Sequence, residues 1–151
     1  MINMFRSALD VAKYVINRCY VDLRHPISNL QLQKILYYIQ GYYLVKFGRP
    51  LFYEDIIAWK LGPVVREVYN EYNIYVSSPI TEVYNVDLNL SSDERVLINN
   101  VIDNKALISA WDLVNATHNE NPWKDTVESR GYNSVMRNQD IAQYFVNNQG
   151  V

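Results

Sequence analysis

His118-Asn-Glu-Asn-Pro-Trp123 is where the chain sets an imidazole beside a carboxylate and an indole. His118 as a general base, oriented by Asp112 or Glu120, would need a hydroxyl or thiol nucleophile within hydrogen-bond reach, and no serine or cysteine stands in an evident position to serve. The simpler reading puts His118 at the C-terminus of a helix, where a donor satisfies free carbonyls, with Trp123 folded back over the core. Metal chemistry has less support. His25 and His118 lie far apart and share no ligand spacing with Cys19 or an acidic cluster, whereas a zinc site needs three or four convergent ligands. No metal and no cofactor is expected. Glu54-Asp55 is a carboxylate pair, but neighbours in an extended chain diverge, so a solvated turn is the expectation there.

Two further features concern binding rather than catalysis. Lys60 precedes Gly62-Pro63, which reads as the start of a helix whose free amides can receive a phosphate or a partner's carboxylate. The Gly-rich run and Lys-Ser/Thr ending of a P-loop are missing. Gln33, Tyr37, Gln40 and Leu44 form a stripe on one helix. That stripe either satisfies buried backbone groups under a neighbouring element or forms a polar-aromatic groove for a peptide, since tyrosine joins large contact area to few rotors. Both readings stay open. Tyrosines also suit single-stranded nucleic acid, but a stacking platform needs a basic groove, and only Lys34 and Lys46 lie on this helix.

The elements that must position these groups follow from apolar spacing. Leu9, Ala12, Ile16, Cys19 and Leu23 predict a helix from Ser7 to about Leu23, ended by Arg24-His25-Pro26. Ser28-Asn-Leu-Gln31 matches a capping box and opens a helix to about Phe47 with Leu32, Leu36, Ile39 and Tyr43 on its core side; Gly48 and Pro50 stop it. Alternation through Ile57, Trp59 and Leu61 predicts a short extended segment before the Gly62-Pro63 helix, which carries Val65, Val68, Tyr69 and Tyr72. Residues 74–90 read as a long connection. Ser91-Ser-Asp-Glu94 is a second capping box, and a helix over about Ser109 to Thr117 carries Trp111, Leu113 and Val114. Asn119 to Trp123 breaks it at Pro122, a polar loop runs past Gly131, and Asn138 caps a last helix through Ile141 and Phe145. The sum is one mainly α-helical domain over 1–151, core about 7–147, of about six helices with a small extended or β element.

Composition narrows the function classes. The net charge of −2 lacks the basic excess of a nucleic-acid binder. The opening residues lack a basic segment followed by an apolar stretch, and no apolar run reaches the ~18 residues of a membrane span, so no signal peptide and no membrane association are expected. The single Cys19 excludes an internal disulfide and fits a reducing cytoplasm. Thirteen tyrosines exceed four phenylalanines and three tryptophans together. AT-rich coding favours Tyr, Asn and Ile, so part of that excess carries no function.

Several motifs in one order carry a family likeness. Leu32-Gln-Lys-Ile-Leu-Tyr-Tyr-Ile-Gln-Gly-Tyr-Tyr43, Gly48-Arg-Pro-Leu-Phe52, Ala58-Trp-Lys-Leu-Gly-Pro-Val-Val65 with Tyr69, His118 before Pro122-Trp123, and Ile141-Ala-Gln-Tyr-Phe145 resemble the Panacea antitoxin domain, which includes phage-associated GepA-like proteins and SocA-like antitoxins. The likeness runs from Leu9 to Phe145 and draws Leu32, Leu36, Gly41, Trp59, Val65, Tyr69, His118, Pro122 and Trp123 into the family motifs. Ile39, Tyr42 and Leu61 depart from the usual pattern in ways that conserve the fold. The resemblance implies a mostly helical bacterial or phage protein, encoded beside a toxin, that neutralises it by direct contact. For SocA-like members it implies delivery of the toxin to the ClpXP protease. Little of the chain falls outside the domain, which argues against an autoregulatory DNA-binding segment.

The expectation is therefore a non-enzymatic antitoxin. Its partner contacts would come from Gln33, Tyr37, Gln40, Lys60, Gly62 and Pro63. The alternatives are a small hydrolase-like or ligand-binding protein using a His118/Lys60 pocket, and a phage regulatory DNA-binding protein.

Overall fold

The computed structural model describes residues 6–149; the opening Met-Ile-Asn-Met-Phe, on which the absence of a leader was read, lies outside them. Ser7 caps helix α1 (Ala8–Asn17) by accepting the Asp10 amide at 3.1 Å. The apolar spacing predicts that this helix reaches Leu23, but its regular ladder stops at Asn17 and the chain continues as a π turn over Arg18–Asp22. The wider turn keeps Cys19 buried while Arg18 forks onto Asp103 at 2.9 and 2.7 Å. Burial pushes the Cys19 thiol up to about 12, which makes it inert.

Helix α2 (Asn29–Phe47) carries both halves of the Ser28/Gln31 capping box and ends on Gly48 at φ 69°. It is the axis of the molecule. Every residue from Leu32 to Tyr43 is buried, because α1 and helices α3 (Arg66–Tyr72), α4 (Ser92–Lys105), α5 (Ala110–His118) and α7 (Asn138–Asn147) all pack on it. Gly41 is what lets α7 approach: a Cβ there would sit 2.2 Å from the Phe145 ring.

Three short strands, β1 (Ile56–Trp59), β2 (Gly62–Val64) and β3 (Ser134–Met136), form an antiparallel sheet in the order β2-β1-β3. Trp59 pairs with Gly62 and Ile57 with Val64; Ala58 lies opposite Ser134. This corrects the Gly62-Pro63 helix start. Those residues form an edge strand, Val65 is the N-cap, and α3 begins at Arg66. Proline suits an edge strand as well as a first helical turn, since neither needs its missing N–H, and the pairing with β1 decides between them.

The second capping box holds at Ser91 and Glu94. The expected break after α5 is there, at Asn119 and Glu120, but Pro122 then opens a helix that the sequence does not lead one to expect: α6 runs Asn121–Arg130 and ends on Gly131. The result is seven α-helices among the described residues, mainly α as expected, with a small sheet where an extended or β element is expected. Residues 76–90 form no regular element, in line with the long connection expected there.

Candidate functional site

The polar stripe of α2 works inside the protein. Gln33, fully buried, accepts the Val65 amide at 2.9 Å and donates to Asn29 Oδ1 at 2.9 Å. Gln40, also buried, donates to the Phe52 carbonyl at 2.7 Å and accepts the Leu51 amide at 2.9 Å. Each amide thus satisfies backbone at a point where a loop meets the helix without a ladder of its own. Tyr37, equally buried, donates to Glu120 Oε1 at 2.8 Å. That burial removes Gln33, Tyr37 and Gln40 from any surface a folded partner can touch, and the peptide-groove expectation for the stripe is corrected accordingly.

Lys34 lies between these residues and is fully buried; its Nζ donates to the Pro63 carbonyl at 3.0 Å. Burial without a counter-ion lowers its pKa to about 7. A Cβ on Gly62, which holds φ 103°, would lie 2.7 Å from both Lys34 Cε and Thr117 Oγ1. Gly62 and Pro63 therefore seal a lysine into the core, and both are buried.

Two carboxylates receive three of the tyrosines of α2. Glu94 takes Tyr43 Oη on one side and Arg6 Nη1 at 3.0 Å, and its other oxygen accepts the Ser91 amide at 2.9 Å. Burial opposes the charged form of Glu94, but the Tyr43, Ser91 and Arg6 contacts outweigh it and hold the carboxyl at about 2. Glu120 takes Tyr37 Oη on one oxygen and Tyr38 Oη on the other, at 2.8 and 2.7 Å. Burial dominates there and raises its pKa, against the two tyrosines and Lys105, whose ammonium lies 4.2 Å from the Tyr38 ring centroid. A hollow of about 330 Å³ opens in front of this carboxylate.

His118, Trp123 and Lys60 do converge, but through the backbone. His118 Nε2 lies 2.8 Å from the Lys60 carbonyl, and its ring stacks on Trp123 at 4.1 Å. Trp123 Nε1 donates to the Trp59 carbonyl at 2.8 Å. Both rings thus clamp the β1–β2 turn to the junction of α5 and α6, so His118 satisfies a carbonyl of the hairpin rather than of its own helix. Trp59 packs edge-on against Tyr69 at 4.8 Å. The Lys60 ammonium points elsewhere, 5.8 Å from the Tyr132 ring centroid. Pro122 is buried in the first turn of α6, and Leu32, Leu36 and Val65 are core. Among the described residues, no group of three His, Cys, Asp or Glu side chains could hold a metal ion, and no helix is long and apolar enough to cross a membrane.

The clamped hairpin presents a surface that sequence reasoning missed. Two apolar hollows of about 280 and 410 Å³ share Leu30, Leu61 and Tyr69; the first continues to Trp59 and Tyr132, the second to Val76 and Trp111. Trp111 is 63 % exposed, Val76 79 % and Leu61 42 %. The sequence places Trp111 with Leu113 and Val114 on the helix over about Ser109 to Thr117 without saying which of them face solvent. By the pitch of the helix Trp111 lies about 160° from Leu113 and about 120° from Thr117 but only about 60° from Val114, so spacing alone does not set it apart from the buried face.

The family model for the antitoxin SocA-like Panacea domain matches residues 32–124. The chain belongs to that family. Antitoxin SocA of Caulobacter vibrioides (strain NA1000 / CB15N) is 46 % identical to it over 63 residues. That segment is 42 % of this chain and 33 % of the relative, so the match spans about a third of the relative's length. No solved structure matches. The matched span takes in α2, the hairpin, the His118–Trp123 clamp and most of the lining of both exposed hollows.

Proposed function

We propose that this protein is an antitoxin that neutralises a cognate toxin by direct protein contact and has no catalytic activity of its own. One observation carries the reading: the polar side chains that the sequence motifs single out are bonded within the fold, while the surface around the hairpin exposes aromatic and apolar side chains. Glu94, Gln33, Gln40, Lys34 and His118 all have internal partners. Trp111, Leu61 and Val76 stand in solvent around shared hollows, as the core of a protein interface requires. Membership of the antitoxin family supports the same reading. The His118/Lys60 alternative is weakened because the imidazole nitrogen is taken by a carbonyl and the ring face by Trp123. A DNA-binding role lacks the charge for it.

Co-expression with the product of the adjacent gene tests the proposal. Rescue of growth together with co-purification is the expected result; neither rescue nor a complex would end it. Following the toxin's lifetime in the same cells separates two forms of neutralisation. A stable complex means blocking, and toxin that disappears only while a ClpXP-type protease is active means an adaptor.

A further inference from the structure

We infer that the two hollows meeting at Leu30, Leu61 and Tyr69 are one docking groove for an amphipathic segment of the toxin, with apolar side chains against Trp111 and Leu61 and a carboxylate directed at Lys60. The inference rests on the antitoxin reading and specifies its binding surface and the chemistry of the occupant.

Three observations converge on it. First, the hollows are continuous through shared residues and belong to a rigid frame, because the hairpin bearing Leu61 is fixed by His118 and Trp123 to carbonyls 60 and 59. A preformed groove binds without the entropy cost of ordering a loop. Second, Lys60 is the one charged residue among those that line either hollow, and no carboxylate among the described residues lies within ion-pair distance of it. An apolar trough with a single unpaired cation at one end selects an apolar segment that carries an acidic residue. Third, Val76 combines two unfavourable features at the rim. Its side chain is 79 % exposed and its backbone holds φ 55°, a region that β-branched residues avoid. A residue that is costly in both respects fits a side chain that is covered only when the partner docks.

The experiment is titration calorimetry of the purified product of the adjacent gene, taken as the toxin, against the full chain and four variants, with growth rescue measured in parallel. Trp111→Asp and Leu61→Asp should each weaken binding by about 100-fold or more, the range of a central interface anchor. Lys60→Met should weaken it by about 10-fold and flatten its salt dependence. Val76→Gly separates binding from folding: glycine accepts the positive φ, so this variant should unfold at the same or a higher temperature while binding the toxin several-fold more weakly. If the unsubstituted chain rescues growth and binds toxin, but Trp111→Asp and Val76→Gly bind equally well, the groove is wrong and the antitoxin reading stands. If the unsubstituted chain binds no toxin, both fall. Self-association abolished by Trp111→Asp, with toxin binding unchanged, would give the groove to a second copy of this chain and overturn the inference.

Discussion

Glu94, buried, and Glu120, half-buried, both lie against α2 and both accept tyrosine hydroxyls from it, yet their acidities move in opposite directions. Glu94 sits at the third position of α4, where a free backbone amide, the helix dipole and the Arg6 guanidinium add to Tyr43. Glu120 sits before α6 and makes no capping bond; its hydrogen bonds come from two neutral hydroxyls. Neutral donors alone do not offset the removal of a carboxylate from water, whereas a guanidinium with a helix amide does. Lys34 extends the contrast to a cation, because one carbonyl leaves its ammonium as poorly compensated as Glu120.

The largest effect should come from removing the well-compensated charge. Glu94→Gln leaves Arg6 without its carboxylate while keeping an acceptor for the Ser91 amide, as Gln31 does in the other box, so denaturant unfolding should register a loss of about 3 kcal/mol that comes from the buried ion pair. A loss under about 1 kcal/mol would mean that Glu94 is no better served than Glu120. The Glu94 pKa of about 2 lies below its ordinary value of 4.5. Its contribution is therefore fully present above pH 4.5 and drains away as pH falls from 4.5 toward 2.

Lys34→Met should come next and with the opposite sign. The unfolded chain holds the lysine proton up to about 10.5 and the folded chain only to about 7. The parent protein should therefore gain stability as pH rises from about 7 toward 10.5, with tyrosine ionisation limiting the useful range to below about 9.5. The methionine variant should lack that rise and, at pH 6, unfold with roughly 2 kcal/mol more stability than the parent. Thermal melts at pH 6 and 9 measure both.

Tyrosine substitutions sharpen the comparison at lower amplitude. Tyr43→Phe should cost about 1.5 kcal/mol, since it withdraws a hydrogen bond to a fully charged carboxylate. Tyr38→Phe should cost about half as much, because Glu120 is held closer to its neutral form. Equal losses would put the two carboxylates in the same state. The smallest effect is a slope. Folding raises the Glu120 pKa, so the parent loses stability as pH rises above 4.5 through the raised value, and Glu120→Gln should flatten the profile over that interval.

Legibility followed the range of the forces involved. Both capping boxes and the Gly48 stop were readable because each closes within four residues. The His118–Trp123 motif stood out as chemistry, but its target, a carbonyl 58 residues away, did not. Gly62-Pro63 misled because the same dipeptide serves a helix start and an edge strand, and only pairing with Ala58 and Trp59 distinguishes them. Pro122 concealed a helix: the break after α5 is real, but the same proline sits in the first turn of α6. The groove was least legible. Its walls come from α2, the hairpin, α3 and α5, and no local pattern marks four elements as meeting on one side.

By itself, the sequence determined the helical class, most helix ends and the family, since apolar period, caps and motif order are properties of neighbours along the chain. Only the tertiary structure decided which polar residues are internal. α2 is covered on every side along its central turns, so Gln33, Tyr37 and Gln40 hold the fold together. Trp111, Leu61 and Val76 were left outside. Desolvation, which sets both the acidities and the surface open to a partner, depends on what packs from across the molecule rather than on what comes next in the chain.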